Sequence, residues 1–286
     1  MIKYLKLQFY YFTFERFPNF YRPSSKPFIS GDTFRSMADH IFDESKSFNP
    51  KNVNYGDVIF LMSELCETFF TTHHPDIQNK YVLITHNSFK NLSNEVELFI
   101  DEKVIHWYVL NLELKNTEKY SLIPYGLENL RSFKYGRKKW FVKNDKLKKN
   151  LILSSFSNNT NFPIRKKLES ILSDSSLIKS KSFLSTEQYF NELKESFFVI
   201  CPPGKGNDTS RIWESLIFDT FPIFVLNNFT SNLRTIGVPG IYLEKWEDIL
   251  SFDQDMLIQH YDNLIKKDYH YLLSYKYWIK KIKSND

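Results

Sequence analysis

The feature that most constrains this chain is an alternation running through nearly all of it: short unbroken apolar runs, each followed by a longer stretch with helical spacing. "KPFIS", "DVIFLM", "YVLIT", "VIHWYVL" and "YSLIPYG" read as strands, with "TFRSMADHIFDES" and "SELCETFF" as helices between them. A strand that is apolar at every position, not every second one, is covered on both faces, and parallel neighbours need a helical crossover. The chain is therefore predicted to be α/β with parallel sheets.

The alternation is interrupted once. Residues 134–150, "KYGRKKWFVKNDKLKKN", are dense in Lys and Arg and predict a solvated linker. The pattern then resumes with "LILSSF", the helix "NFPIRKKLESILSD", "SFFVICP", the helix "SRIWESLIFD", "FPIFVL" and "GIYLEKW". Two such halves, 1–140 and 141–286, predict two doubly wound, Rossmann-like domains facing a cleft. The last helical stretch, "YHYLLSYKYWIKKIKS", is basic and aromatic. It is expected to pack back across the domains; the other setting for such a helix is a membrane surface.

Composition narrows the class. A hydrophobic fraction of 42% beside 25% charged residues fits a globular protein, and no run is long enough to span a bilayer. The net charge of +5 suits an anionic small molecule, and no interleaved basic pattern supports a nucleic-acid partner. Two distant cysteines, Cys66 and Cys201, argue against a disulfide framework and for a reducing compartment. The first residues, "MIKYLKLQFYYFTFERF", lack the clean apolar core and cleavage site of a signal peptide. Of the sequons at Asn91, Asn158, Asn207 and Asn228, two fall in candidate site loops, which favours a cytoplasmic location.

In open parallel sheets, ligands bind beyond the carboxyl ends of the strands. The loops expected there are "SGDTFR", "SE", "THNS", "NLE", "GLEN", "SFSNNTN" and "PPGKGND", all rich in acids, amides and hydroxyls. They make Arg35, His86, Asn87, Asn111, Glu128 and Asn129 candidate acceptor or cleft residues.

The most informative stretch is "CPPGKGNDTSRIWESLIFD", residues 201–219. Gly204 and Gly206 allow close backbone approach, and Asp208, Thr209 or Ser210 can cap the following helix. The N-terminus of a helix attracts phosphate, and Lys205 and Arg211 add positive charge at the same point. Arg211 and Glu214 are three residues apart and share a helix face. A guanidinium can hold a diphosphate, and a carboxylate one turn on can accept hydrogen bonds from two ribose hydroxyls. The plainer reading is a capped helix with a surface Arg–Glu pair. A Walker A loop is excluded because Gly206 follows Lys205 where Ser or Thr is needed, and the spaced glycines of the dinucleotide fingerprint are absent.

The stretch resembles the exostosin-like glycosyltransferases, including short virus-encoded members. The resemblance is carried by Pro202, Gly204, Gly206, Asp208, Arg211, Trp213, Glu214, Leu216, Pro222 and Ile223. "YVLITHNS", "HWYVLN" and "IPYGLEN" are also similar to segments of that family. The chain departs from the family at Ser210, where His is usual, at Asp219, where Gly ends the helix, and at Phe89, where Asp is expected. Asp tolerates the left-handed conformation that a helix-ending Gly adopts.

The resemblance implies a GT-B fold, with the donor nucleotide on the C-terminal half and a glycan acceptor mostly on the N-terminal half. It implies inverting transfer without a required metal or other cofactor, from a uridine diphosphate sugar, UDP-xylose first among them. Arg211 and Arg165 would hold the diphosphate and Glu214 the ribose. An inverting reaction needs a base on the acceptor side, and Asp32 and Glu64 are the two candidates; either also reads as a helix-capping or first-turn acid. The alternative is a non-catalytic glycan- or nucleotide-binding module of the same fold.

Overall fold

The computed structural model describes residues 22–132, 134–143, 147–181 and 184–284. The segment 1–17, read above for a targeting signal, lies outside them. Two five-stranded parallel sheets organise the chain. The first holds β1 (His40–Phe42), β2 (Val58–Met62), β3 (Tyr81–His86), β4 (Val104–Val109) and β5 (Tyr120–Leu122), in chain order. The second holds β6 (Asn150–Ser154), β7 (Ile178–Ser180), β8 (Ser196–Ile200), β9 (Phe221–Val225) and β10 (Ile241–Leu243), in the order β10-β9-β8-β6-β7. Among the described residues no helix is long and apolar enough to cross a membrane.

Chain order in the first sheet has a physical consequence. Right-handed crossovers between successive strands put their helices on one face. On that face α2 (Cys66–Thr72) brings Phe69 against Tyr81 and Phe70 against Trp107. Trp107 pairs in register with Leu83 and donates to Thr85, so Tyr81, Leu83 and Thr85 share this face. The opposite face, bearing His86 and Tyr108, needs cover from elsewhere in the chain. It comes from α1 (Gly31–Arg35) and from α9 (Tyr275–Ser284) at the far end of the sequence. Phe34 lies against His86 and edge-on to Trp278, and the Tyr108 hydroxyl donates to the Lys281 carbonyl. Phe34 and Trp278 are fully buried. Burying a side chain such as Phe34 stabilises by roughly 1.5–3 kcal/mol, which is why the basic, aromatic last helix is held here.

In the second sheet the order of strands reverses between β6 and β8. That is the switch point at which the loops of a doubly wound sheet diverge and leave a crevice. Between β8 and β9 lies α6 (Ser210–Ile217), whose buried face is Ile212, Trp213, Leu216 and Ile217. The chain leaves α6 through Asp219 in the left-handed conformation, with φ 53°, as expected for the residue standing in for glycine.

Several local expectations are corrected. "KPFIS" is no sheet strand; Phe28 and Ser30 make only isolated bridges, to Ser274 and Leu127. The helix expected over 33–45 ends at Arg35, and β1 lies within that span. Asp43 at its end accepts Arg35 and turns the chain through Ser45 and Lys46, so a polar turn competes with the helical spacing. The basic stretch 134–150 is not wholly a solvated linker. Phe141 packs edge-on against Phe190, and Lys148 donates to the carbonyls of Ser196 and Phe218 and to Thr220. Burial pulls the Lys148 ammonium down to about 7.

Candidate functional site

The switch point is flanked by the loop after β6, the loop 201–209 after β8, and the first turn of α6. Arg165 on α4 (Phe162–Leu172) reaches across it. Its Nε donates to Pro203 O at 2.9 Å, Nη1 to Ser157 O at 2.7 Å and Nη2 to Pro202 O at 3.2 Å. Gly204 makes this possible, because a Cβ there would sit 3.1 Å from Arg165 Nη2. Arg165 is thus a brace between the two loops, with each of its three guanidinium nitrogens donating to a loop carbonyl. Arg211 donates to Ser155 O at 2.7 Å, while its Nε is buried without a hydrogen-bond partner, as is Thr209 Oγ1.

Burial, then the nearby Arg211 charge, pulls Arg165 down to about 10. Two guanidiniums therefore sit together beside orphaned donors, with no ion pair to either among the described residues. Glu214 is 2% exposed. It accepts the Tyr189 hydroxyl at 2.9 Å, and the Ser210 side chain lies within hydrogen-bonding reach. Burial pushes its carboxyl up to about 7, and the Glu128 charge adds to the rise. The Arg211–Glu214 pair is therefore not the exposed surface pair of the plainer reading.

The rest of the glycine-rich loop faces the N-terminal half. The Asp208 N–H donates to Asn111 Oδ1 at 2.7 Å, and Asp208 Oδ2 accepts the Tyr125 N–H at 2.8 Å. Its Oδ1 accepts Trp213 Nε1 at 2.8 Å. Asn207 donates to Glu113 Oε1, which Asn91 also reaches. Gly206 lies so close to Asn111 that a Cβ would stand 2.6 Å from its amide nitrogen. Gly206, Asp208 and Asn111 thus serve docking between the two halves, whereas the sequence reading gives the first two to the donor and the third to the acceptor. Thr209, not Asp208 or Ser210, occupies the cap position of α6, with no side-chain cap bond. Lys205 is exposed and stands over the Phe89 ring, 5.3 Å from its centroid, across the opening.

On the other side lies a cleft of about 210 Å³, lined by residues that include His86, Asn87, Phe89, Tyr125, Glu128 and Arg131. His86 is buried and neutral: Nε2 faces Pro124 O at 2.9 Å, Nδ1 accepts the Asn87 N–H, and burial pulls it down to about 4. Asn129 donates to Asn87 Oδ1 and accepts the Asp32 N–H, knitting the cleft floor together. Glu128 is half-buried and accepts the Tyr125 hydroxyl at 3.1 Å. Burial raises its carboxyl above the usual range, against the pull of Tyr125 and Arg131.

The two candidate bases sit differently. Asp32 lies beneath the cleft, with no exposed side chain; Arg22 and Arg131 each approach it at 3.2 Å, and Asn87 donates to it at 3.0 Å. Arg22 also pairs with Glu44. Glu64 is exposed at the rim and accepts the Ser88 hydroxyl at 2.7 Å. Arg35 points away from the cleft, donating to Asp43 at 2.6 Å and to Ser45 at 3.0 Å, and so lies outside the acceptor site. Sequence reasoning missed Tyr125, Tyr189 and Arg131, although Tyr125 and Arg131 flank the quoted "GLEN". No family model and no curated protein matches the chain.

Proposed function

We propose that the protein is an inverting glycosyltransferase that moves a sugar from a nucleoside diphosphate to a hydroxyl of a glycan. The donor assigned is a uridine diphosphate sugar, UDP-xylose first, and the architecture assigned is GT-B. The observation that carries this reading is the meeting of Arg165 and Arg211 at a topological switch point, unopposed by an ion-paired carboxylate and one turn from the buried Glu214. Positive groups fixed where a diphosphate departs stabilise the charge that develops in the transition state. Arg211 and Lys205 fill that role, Arg165 adds field and braces the loops, and Glu214 receives the ribose hydroxyls. The acceptor occupies the cleft along Asn87, Phe89 and Glu128, and its glycan character is supported by a lining of amides, hydroxyls, one carboxylate and two aromatic rings.

A second reading, a non-catalytic nucleotide- or glycan-binding module, is favoured by one observation: two arginines occupy the Asp32 carboxylate. Release of nucleoside diphosphate from a panel of nucleotide sugars separates the two, since a binding module releases none. Thermal shift across the same panel tests the donor, because a ligand of the native state raises the melting temperature. Arg211→Ala is expected to weaken UDP binding by roughly 10- to 100-fold, the value of a charge-assisted hydrogen-bonding group. Unchanged UDP affinity in folded Arg211→Ala protein would overturn the donor site.

A further inference from the structure

We infer that Glu128 is the general base, taking the proton from the acceptor hydroxyl. This inference rests on the glycosyltransferase reading and names the residue that reading leaves open. A base must meet the acceptor, face the donor and hold a free oxygen. Asp32 fails the first condition, being enclosed by Arg22, Arg131 and Asn87 with no exposed side chain, so that no acceptor hydroxyl can reach it. Glu64 hydrogen-bonds to Ser88 at the rim and does not line the cleft.

Glu128 meets all three. It lines the cleft and is half-buried. Its Oε1 accepts the Tyr125 hydroxyl, which orients the carboxylate and leaves Oε2 for a ligand. It lies near enough to Glu214, on the proposed ribose side, for its charge to be felt there. Tyr125 is the hinge of this arrangement. Its side chain holds Glu128 while its backbone N–H is fixed by Asp208 of the opposite half. The groups facing Glu128 are Tyr125, Arg131 and Glu214. Burial opposes the two attractive ones and keeps the carboxyl more basic than an exposed glutamate.

In the step, the acceptor oxygen loses its proton to Glu128 Oε2 and forms a bond to the anomeric carbon. The bond from that carbon to the diphosphate breaks, and its electron pair leaves on the phosphate oxygen beside Arg211. The proton passes from Glu128 to solvent as the site reopens. Products are an inverted glycoside and a nucleoside diphosphate.

The experiment compares wild-type protein with Glu128→Gln and Glu128→Asp. UDP-xylose and other UDP-sugars are the donors, p-nitrophenyl glycosides the acceptors, and UDP affinity is measured by calorimetry. Glu128→Gln should lose about 10²- to 10⁴-fold in kcat while binding UDP within threefold or so of wild type. Wild-type kcat/KM should fall on the acid side of a point above the ordinary carboxylate range, and that limb should vanish in Glu128→Gln. Circular dichroism of both variants establishes folding, and Glu128→Asp should keep partial activity. A folded Glu128→Gln with near wild-type turnover overturns this inference alone. A wild-type protein that neither binds UDP nor turns over any donor overturns the glycosyltransferase reading, and this inference with it.

Discussion

The Tyr125 backbone N–H donates to Asp208 Oδ2 at 2.8 Å, joining the loop after β5 to the loop after β8. Asp208 also accepts Trp213 Nε1 from α6 and is 3% exposed. One carboxylate therefore ties the cleft of the first half to the helix that carries Arg211 and Glu214. Asp208→Ala strands two buried donors, each worth about 1–3 kcal/mol when left unsatisfied. The expected loss is about 2–5 kcal/mol in urea unfolding, and Asp208→Asn, which keeps one acceptor oxygen, should lose less. An alanine variant within about 0.5 kcal/mol of wild type would show that the latch carries no stability.

Asp32 gives a prediction that separates structure from chemistry. Arg22 and Arg131 both point at its buried carboxylate. Replacing one member of a buried ion-pair group leaves an uncompensated charge and costs about 3–5 kcal/mol. Asp32→Asn should therefore unfold at clearly lower denaturant, with activity lost in step with the folded fraction. Wild-type stability together with abolished transfer would return the role of base to Asp32.

The fold was legible where apolar runs were unbroken: β2, β3, β4, β8 and β9 all fall within quoted runs. Of the four three-residue strands, β5 and β10 fall within the quoted "YSLIPYG" and "GIYLEKW", whereas β1 and β7 were illegible, because neither stands in an apolar run long enough to show against its polar surroundings. The stretch 201–219 stood out because charge, glycine and helix start crowd into ten residues. The uses of its members did not. Gly206 and Asp208 answer to Asn111 and Tyr125, roughly a hundred residues away in sequence, and nothing local distinguishes a glycine facing a phosphate from one facing another loop. Asp32 and Glu128 look alike as loop acids. Only the packing of Arg22 and Arg131 around one, and of Tyr125 beside the other, tells them apart.

Phe89 is 51% exposed, lines the cleft and stands under Lys205. An aromatic ring kept in water at a cleft mouth offers its face to the apolar side of a sugar ring, while the cation above ties the two lips together. Phe89→Ala should raise the acceptor KM by about 5- to 10-fold with kcat and UDP affinity nearly unchanged, the pattern of a contact made equally in ground and transition states. A change confined to kcat, or to UDP affinity, would remove it from the acceptor site.

Glu214 and Asp208 make stability depend on pH. Burial pushes both carboxyls up to about 7, from ordinary values of 4.5 and 3.8. Between those limits the native protein holds protons that the unfolded chain has released, so stability falls as pH rises toward 7. Two groups act the other way. His86, drawn down to about 4 from 6.5, lowers stability as pH falls through that interval, and Lys148, drawn from 10.5 to about 7, adds stability as pH rises above 7. The wild-type profile is thus a sum of opposing slopes, and a difference measurement isolates one of them. Glu214→Gln removes a single titrating carboxyl, so its stability relative to wild type should improve as pH rises from about 5 to about 8. The relative gain should be about 2–3 kcal/mol over that range, approaching 1.4 kcal/mol per pH unit only where the native and unfolded states differ by a full proton. Urea unfolding of both proteins across the range provides the test. Parallel curves would mean that Glu214 is ionised in the native state throughout, held by a stronger cationic partner than its present surroundings supply.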